Sequence, residues 1–213
     1  MAYPTVDAPY GLKPINLIGG QVFAGATRQL VIANTTGTGY GTSIFYGDLV
    51  KLVSGGTIEK DAGTSTATPV GVFLGCQYTS AVTGQLTFSQ YYPASLAVKS
   101  GSTILAFVAD DPDQLFKVVL VAGTTADGNG LTPAFLGRTV IGSNAALVQN
   151  SGSTTTGDSR VAVNNATNTT TTLPVRIIDT VPETAIAGYP GSYTEVIVKW
   201  NFGVHRYYNA TGV

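Results

Sequence analysis

The chain has 213 residues, of which only 11% are charged, with 11 Lys+Arg against 12 Asp+Glu, one histidine and one cysteine. An ordinary soluble domain carries roughly 25% charged residues, so this chain must coat itself with Thr, Ser, Asn and Gly or cover part of its surface with partners. The balance excludes a binder of the nucleic-acid backbone, which needs clustered cations, because Arg28, Arg138, Arg160, Arg176 and Arg206 are scattered singly. Cys76 alone cannot form an intrachain disulfide, and His205 alone cannot build a multi-histidine zinc site.

The first twenty residues differ from the rest. Pro4, Pro9 and Pro14 recur among Gly11, Gly19 and Gly20. Proline fixes φ and removes a backbone donor, so the stretch cannot be a helix and makes a poor central strand. It reads as an extended arm over residues 1–20. The arm carries Tyr3, Val6, Tyr10, Leu12, Ile15, Leu17 and Ile18, and two placements follow: packed back over its own body, or docked on a neighbouring subunit. The second makes Tyr3, Pro4, Tyr10, Leu12, Pro14 and Ile15 interface candidates. The chain start has no basic region and no long apolar stretch, so no signal peptide is expected. No run approaches the ~18 apolar residues of a membrane span.

Beyond the arm, short strands and turns are expected throughout residues 21–213, as a single β domain. Gln29–Ala33 is a β-branched apolar run ended by the turn-rich Asn34–Gly41. Phe45–Val53 follows, with Ser54-Gly-Gly56 as a hairpin loop and Thr57–Lys60 as the return strand. Pro69–Thr79 is a third strand, whose Gly71 and Gly75 suggest a bulge or close backbone approach. Gln85–Ser89 alternates briefly. Ile104–Ala109 and Leu115–Val121 are the strongest strands, joined by Asp110-Asp-Pro-Asp113. Val175–Asp179 and Tyr193–Trp200 close the series. Thr132–Leu136 and Asn144–Gln149 could each hold a turn or two of helix. Residues 150–172, rich in Ser, Thr and Asn, read as a long exposed loop or hairpin. The fold class is all-β: a sandwich or barrel of short antiparallel strands with little helix.

Catalytic patterns are sparse. No Gly-x-Ser-x-Gly elbow accompanies His205, and Gly37–Gly41 lacks the Gly-Lys-Ser/Thr of a phosphate loop. Asp110, Asp111 and Asp113 read as turn chemistry, with a Ca²⁺ site as the alternative. Cys76, in the apolar run Pro69–Cys76, reads as a buried thiol. Sequons at Asn34, Asn165, Asn168 and Asn209 read as by-products of Asn/Thr-rich composition. The residues after Tyr193 gather Trp200, Phe202, Tyr207 and Tyr208 around Arg206. Aromatics with Arg are typical of interface hot spots, so Trp200 and, in the tail of residues 201–213, Phe202, Arg206, Tyr207 and Tyr208 are interface candidates; the alternative is that Trp200 completes the core and the end frays. No enzyme activity, cofactor or metal is expected.

Asp7-Ala-Pro-Tyr-Gly-Leu-Lys-Pro14 resembles the Pro-x-Gly-Leu-Arg/Lys-Pro start of small virion structural proteins of tailed bacteriophages. Tyr46-Gly-Asp-Leu-Val50 is similar to that group's Gly-Asp-Pro-Val strand, and Pro69-Val-Gly-Val72 to its Pro-Ile-Val-Gly-Val strand. Ile104–Asp113 with Phe116 resembles its Ala-Asp-Asp-Pro-Asp segment, the most specific of the matches, and Leu173–Ile177 and Glu195–Trp200 resemble its closing strands. The chain departs at Leu49, where the group has Pro, in its Thr-rich insert and past Trp200. The resemblance implies a capsid decoration or cement protein on the outer surface of the virion, bound to the major capsid protein and to other copies of itself, often as a homotrimer. With the charge balance and the lack of a signal or a long apolar run, assembly in the host cytoplasm without direct nucleic-acid or membrane contact is expected. On that reading the arm reaches a neighbouring subunit, and removing residues 2–18 leaves a folded body. The competing classes are a tail, fibre or adhesion component and a β-sandwich carbohydrate-binding module or glycosidase.

Overall fold

The computed structural model describes residues 6, 8–33, 39–123, 132–134, 136–184 and 193–213. Tyr3, Pro4 and most of the Asn34–Gly41 turn lie outside these residues. The described chain is all-β, with single turns of 3₁₀ helix at Arg138–Val140 and Arg206–Tyr208.

Two sheets organise the fold. The first is built on β8 (Gln114–Ala122), whose alternating buried side chains Phe116, Val118 and Leu120 face the main core. It runs in the order β10 (Asn144–Ala145), β13 (Val175–Thr180), β14 (Glu195–Trp200), β8, β12 (Ala162–Asn164), β11 (Leu147–Val148), with β1 (Lys13–Leu17) and β9 (Thr132–Pro133) also on β8. The second runs β2 (Arg28–Val31), β7 (Leu105–Ala109), β5 (Gly71–Thr79), β3 (Leu49–Val53), β4 (Thr57–Lys60), with β6 (Leu86–Ser89) on β5. Leu49 and Val72 of the second sheet join Phe116, Val118, Val196 and Trp200 of the first in one apolar cluster. A separate cluster around Ile32, Ile44, Phe73, Tyr92 and Ile104 fills the second sheet's other contacts.

The glycines of β5 serve both expected purposes. A Cβ on Gly71 would collide with the Ala109 carbonyl, so that strand approaches β7 as only glycine can. Gly75 has φ +134, and the register with β7 shifts between Phe73 and Cys76, which marks a bulge.

Of the two placements open to the N-terminal arm, residues 13–17 take the one on their own body: they form β1, antiparallel to β8, with Lys13 opposite Lys117 and Pro14 opposite Phe116. On its other side β1 meets residues 21–23 through the Asn16–Val22 bridge and the Leu17 and Phe23 N–H bonds, all past Pro14, so the missing Pro14 donor falls outside that second pairing. Leu12 is fully buried in the main core, and removing residues 2–18 would therefore remove core and a strand. Residues 150–172 are not an exposed loop along their length. Val161, Ala162 and Val163 are fully buried, and β12 pairs with β8 in parallel, so the pairing is not wholly antiparallel. Three apolar residues in a polar stretch sufficed, because β8 offered an open edge. Asn144–Gln149 and Thr132–Leu136 hold short strands rather than helical turns, since pairing with β13, β12 and β8 supplies the hydrogen bonds that a short isolated helix lacks.

Candidate functional site

The N-terminal candidates are placed by two backbone contacts. Gly11 has φ +79, and a Cβ there would meet Ser159 Cβ at 2.7 Å and the Gly47 carbonyl at 2.8 Å. Gly47, at φ +93, faces the Gly11 and Leu12 backbone in return, and the Leu12 N–H donates to the Gly47 carbonyl at 3.0 Å. Beside this crossing the Asp48 carboxylate is fully buried. It accepts from the Phe45 N–H at 2.9 Å, the Ser159 hydroxyl at 2.6 Å and the Lys60 ammonium at 2.8 Å. The Gly11-Leu12 and Gly47-Asp48 stretches, which carry part of the resemblance, thus meet at one structural junction.

Tyr10 continues the same clasp on the outer face of the first sheet. Its hydroxyl donates to Glu195, which also pairs with Lys117 at 3.1 Å, and Lys13 lies 4.4 Å over its ring. Burial and the Glu195 carboxylate push the Tyr10 phenol well above its ordinary pKa. Tyr10 and Val6 cover Val119, Val121 and Ala162. Leu12 and Tyr10 are therefore occupied within their own body, and Pro14 and Ile15 sit half-buried on β1.

The C-terminal candidates divide. Trp200 is buried against Phe116, ring centroids 5.1 Å apart. The chain after it is bonded back to the body. Asn201 anchors the turn by donating its side-chain amide to Thr171 and Leu173 carbonyls at 2.9 and 3.1 Å. The Arg206 N–H donates to the Pro69 carbonyl at 2.9 Å. His205 is buried 5.1 Å from the Tyr207 ring. Burial holds its pKa below the ordinary histidine value, while the Val70 backbone, Asp110 and Asp111 act in the opposite direction. This framework leaves Phe202 88%, Tyr207 41% and Tyr208 52% exposed. A cleft of about 230 Å³ lies among Ile18, Ile178, Trp200, Phe202 and Tyr208, with Arg176 and Lys199 at its wall.

The acidic loop is shared out rather than convergent. Asp110 pairs with Arg28 at 2.9 Å and accepts from the Tyr207 hydroxyl at 2.7 Å. Burial, then Asp110, pushes the Tyr207 phenol up to about 12. Asp111 accepts from the Asp113 N–H, a turn contact, and Asp113 pairs with Lys199 at 2.6 Å. No group of three or more His, Cys, Asp or Glu that could hold a metal occurs among the described residues. A shallow groove of about 510 Å³ runs between Arg28, Asp110, Asp111, Tyr207 and Tyr208.

Family models, curated proteins and solved structures were each compared with the chain, and none matches it.

Sequence reasoning missed a second exposed apolar set. Val82, Leu86 and Phe88, at the β5–β6 hairpin, are 93%, 59% and 66% exposed, and Phe88 stacks on Phe107 at 6.4 Å. The available signal was the absence of charge over residues 62–98, a run that contains this hairpin. Arg28 and Asp110 as partners of Tyr207 had no such signal, because Tyr207 and Asp110 are 97 residues apart.

Proposed function

We propose that this chain is a structural protein of a tailed-bacteriophage virion, a decoration or cement protein that binds the outer capsid lattice and other copies of itself. It acts by binding, not by catalysis. The observation that carries this reading is a body with 11% charged residues that holds Phe202, Tyr207 and Tyr208 outward on a fixed framework. Rigid exposed aromatics gain contact area at little entropic cost. The resemblance, spread in order over much of the chain, supplies the class of partner. The contact face is assigned to the C-terminal aromatics, because the N-terminal segment from Ala8 to Leu17 is engaged with its own body.

The test is co-sedimentation of the purified chain with DNA-free capsids of the phage that encodes it. Wild type should pellet with the shells. Phe202→Ser and Tyr208→Ser should weaken binding at least tenfold while leaving the melting temperature unchanged. A full-length chain that stays in the supernatant at micromolar capsid sites would refute the capsid reading. Variants that bind as wild type would refute the contact face.

A carbohydrate-binding role has one observation in its favour, the groove where Tyr207 and Tyr208 flank Arg28, Asp110 and Asp111. Sugars are held by aromatic faces beside carboxylates and guanidinium groups, which hydrogen-bond to hydroxyls. A glycan array with wild type and Tyr208→Ala tests it, and an empty array refutes it.

A further inference from the structure

We infer that β6 is a self-association edge, at which two copies pair their Leu86–Ser89 strands antiparallel about a two-fold axis through Thr87. The inference deepens the reading above by naming one of the surfaces through which copies would join.

The backbone sets the geometry. Among the described residues β6 pairs only with β5, with Cys76 opposite Ser89, Gln77 opposite Phe88, Tyr78 opposite Thr87 and Thr79 opposite Leu86. The Ser80 N–H donates to the Gln85 carbonyl. Hydrogen-bonded and non-hydrogen-bonded pairs alternate along an antiparallel ladder. Thr87 and Ser89 therefore spend their backbone groups on β5, and Leu86 and Phe88 point theirs at the free edge. A two-fold through Thr87 sets Leu86 of one copy opposite Phe88 of the other, twice. Each such pair exchanges both N–H···O=C bonds. Leu86 and Phe88 also share the exposed face of β6, where strand side chains alternate, so each cross-strand pair joins an apolar side chain to an apolar side chain.

The occupant follows from charge and sequence. Natural edges are guarded by lysine, proline or inward charge, and Ser80–Gln90 has none of these. A charged partner would find nothing complementary there, whereas an identical strand meets no repulsion and matches Leu86 to Phe88 by symmetry. Val82, Leu86 and Phe88 together expose about 400 Å² per copy on side chains of ordinary size. An edge contact covers part of that, less than the roughly 800 Å² per partner of a standard interface. The contact is weak alone and gains strength when copies are held side by side on a lattice.

The test uses the full-length chain without capsids: sedimentation equilibrium and amide hydrogen exchange from about 10 μM to 1 mM. The mass should rise toward two chains, or toward twice any smaller stable unit. The Leu86 and Phe88 amides should become protected at least fivefold with concentration, while the Thr87 and Ser89 amides are protected throughout. Phe88→Lys and Leu86→Lys should lower the association constant at least tenfold without changing the melting temperature, and Val22→Lys, 75% exposed elsewhere, should not. Leu86 and Phe88 amides that exchange equally fast at both concentrations overturn the inference, as does association that survives Phe88→Lys. Because no capsid enters the assay, such a failure leaves the co-sedimentation test of the virion reading independent.

Discussion

Replacing Lys60 by Met isolates the Asp48 junction. The Asp48 carboxylate has no exposure, and the Lys60 ammonium reaches it at 2.8 Å from a side chain only 12% exposed. Removing the ammonium leaves a buried charge held by two neutral donors, the Phe45 N–H and the Ser159 hydroxyl. Breaking a buried pair on one side costs about 3–5 kcal/mol, and the two remaining donors place this case near the lower end, about 3 kcal/mol. For a chain of this size that is a fall of about 6–12 °C in melting temperature, or about 1–1.5 M in the urea midpoint at ordinary m-values. The contrast is Lys199→Met. The Lys199–Asp113 pair is shorter, 2.6 Å, but Asp113 is 51% exposed, so that substitution should cost less than about 1 kcal/mol. Paired urea titrations of both variants, with a double-mutant cycle through Asp48→Asn, provide the assay. A loss under 1 kcal/mol for Lys60→Met, or one equal to that of Lys199→Met, would refute the argument that burial rather than distance decides these pairs.

Gly11→Ala should lose at least about 2 kcal/mol in the same titration, because a left-handed φ and a Cβ set against Ser159 and the Gly47 backbone add together. His205 is depressed by burial, so the unfolded chain takes up its proton first on acidification. Its contribution is complete above the ordinary value near 6.5 and is lost as pH falls from there through the folded value. Wild type should therefore lose stability between pH 7 and 5 relative to His205→Gln, and parallel pH profiles of the two proteins would contradict this. Burial pushes the Cys76 thiol up to about 12, so a thiol reagent at pH 8 should label it only as fast as the chain unfolds; prompt labelling of the native protein would show that the site opens.

Where burial and alternation coincide, the strands were legible from local sequence. Thr57–Lys60 forms as expected, and Leu115–Val121, Val175–Asp179 and Ile104–Ala109 differ from the observed strands by a residue or so at their ends. Phe45–Val53 shortens to Leu49–Val53, because the left-handed Gly47 turns the chain before the strand begins. The tail was legible only as a cluster: which aromatic is core and which is exposed depends on Asn201 and Arg206 bonds to Thr171, Leu173 and Pro69, remote in sequence.

The sequence by itself determined that the chain is all-β, poor in charge and without a disulfide framework, since composition and period-two alternation are local properties. Tertiary structure alone decided that Leu12 and β1 belong to the body. Apolar residues on a proline-rich segment announce that they will be covered, but not by what. The same holds for Val161–Val163, whose burial depends on their pairing with β8, and for Leu86 and Phe88, beside which no further strand arrives among the described residues. Burial is a relation between distant segments, and no window of sequence contains both partners.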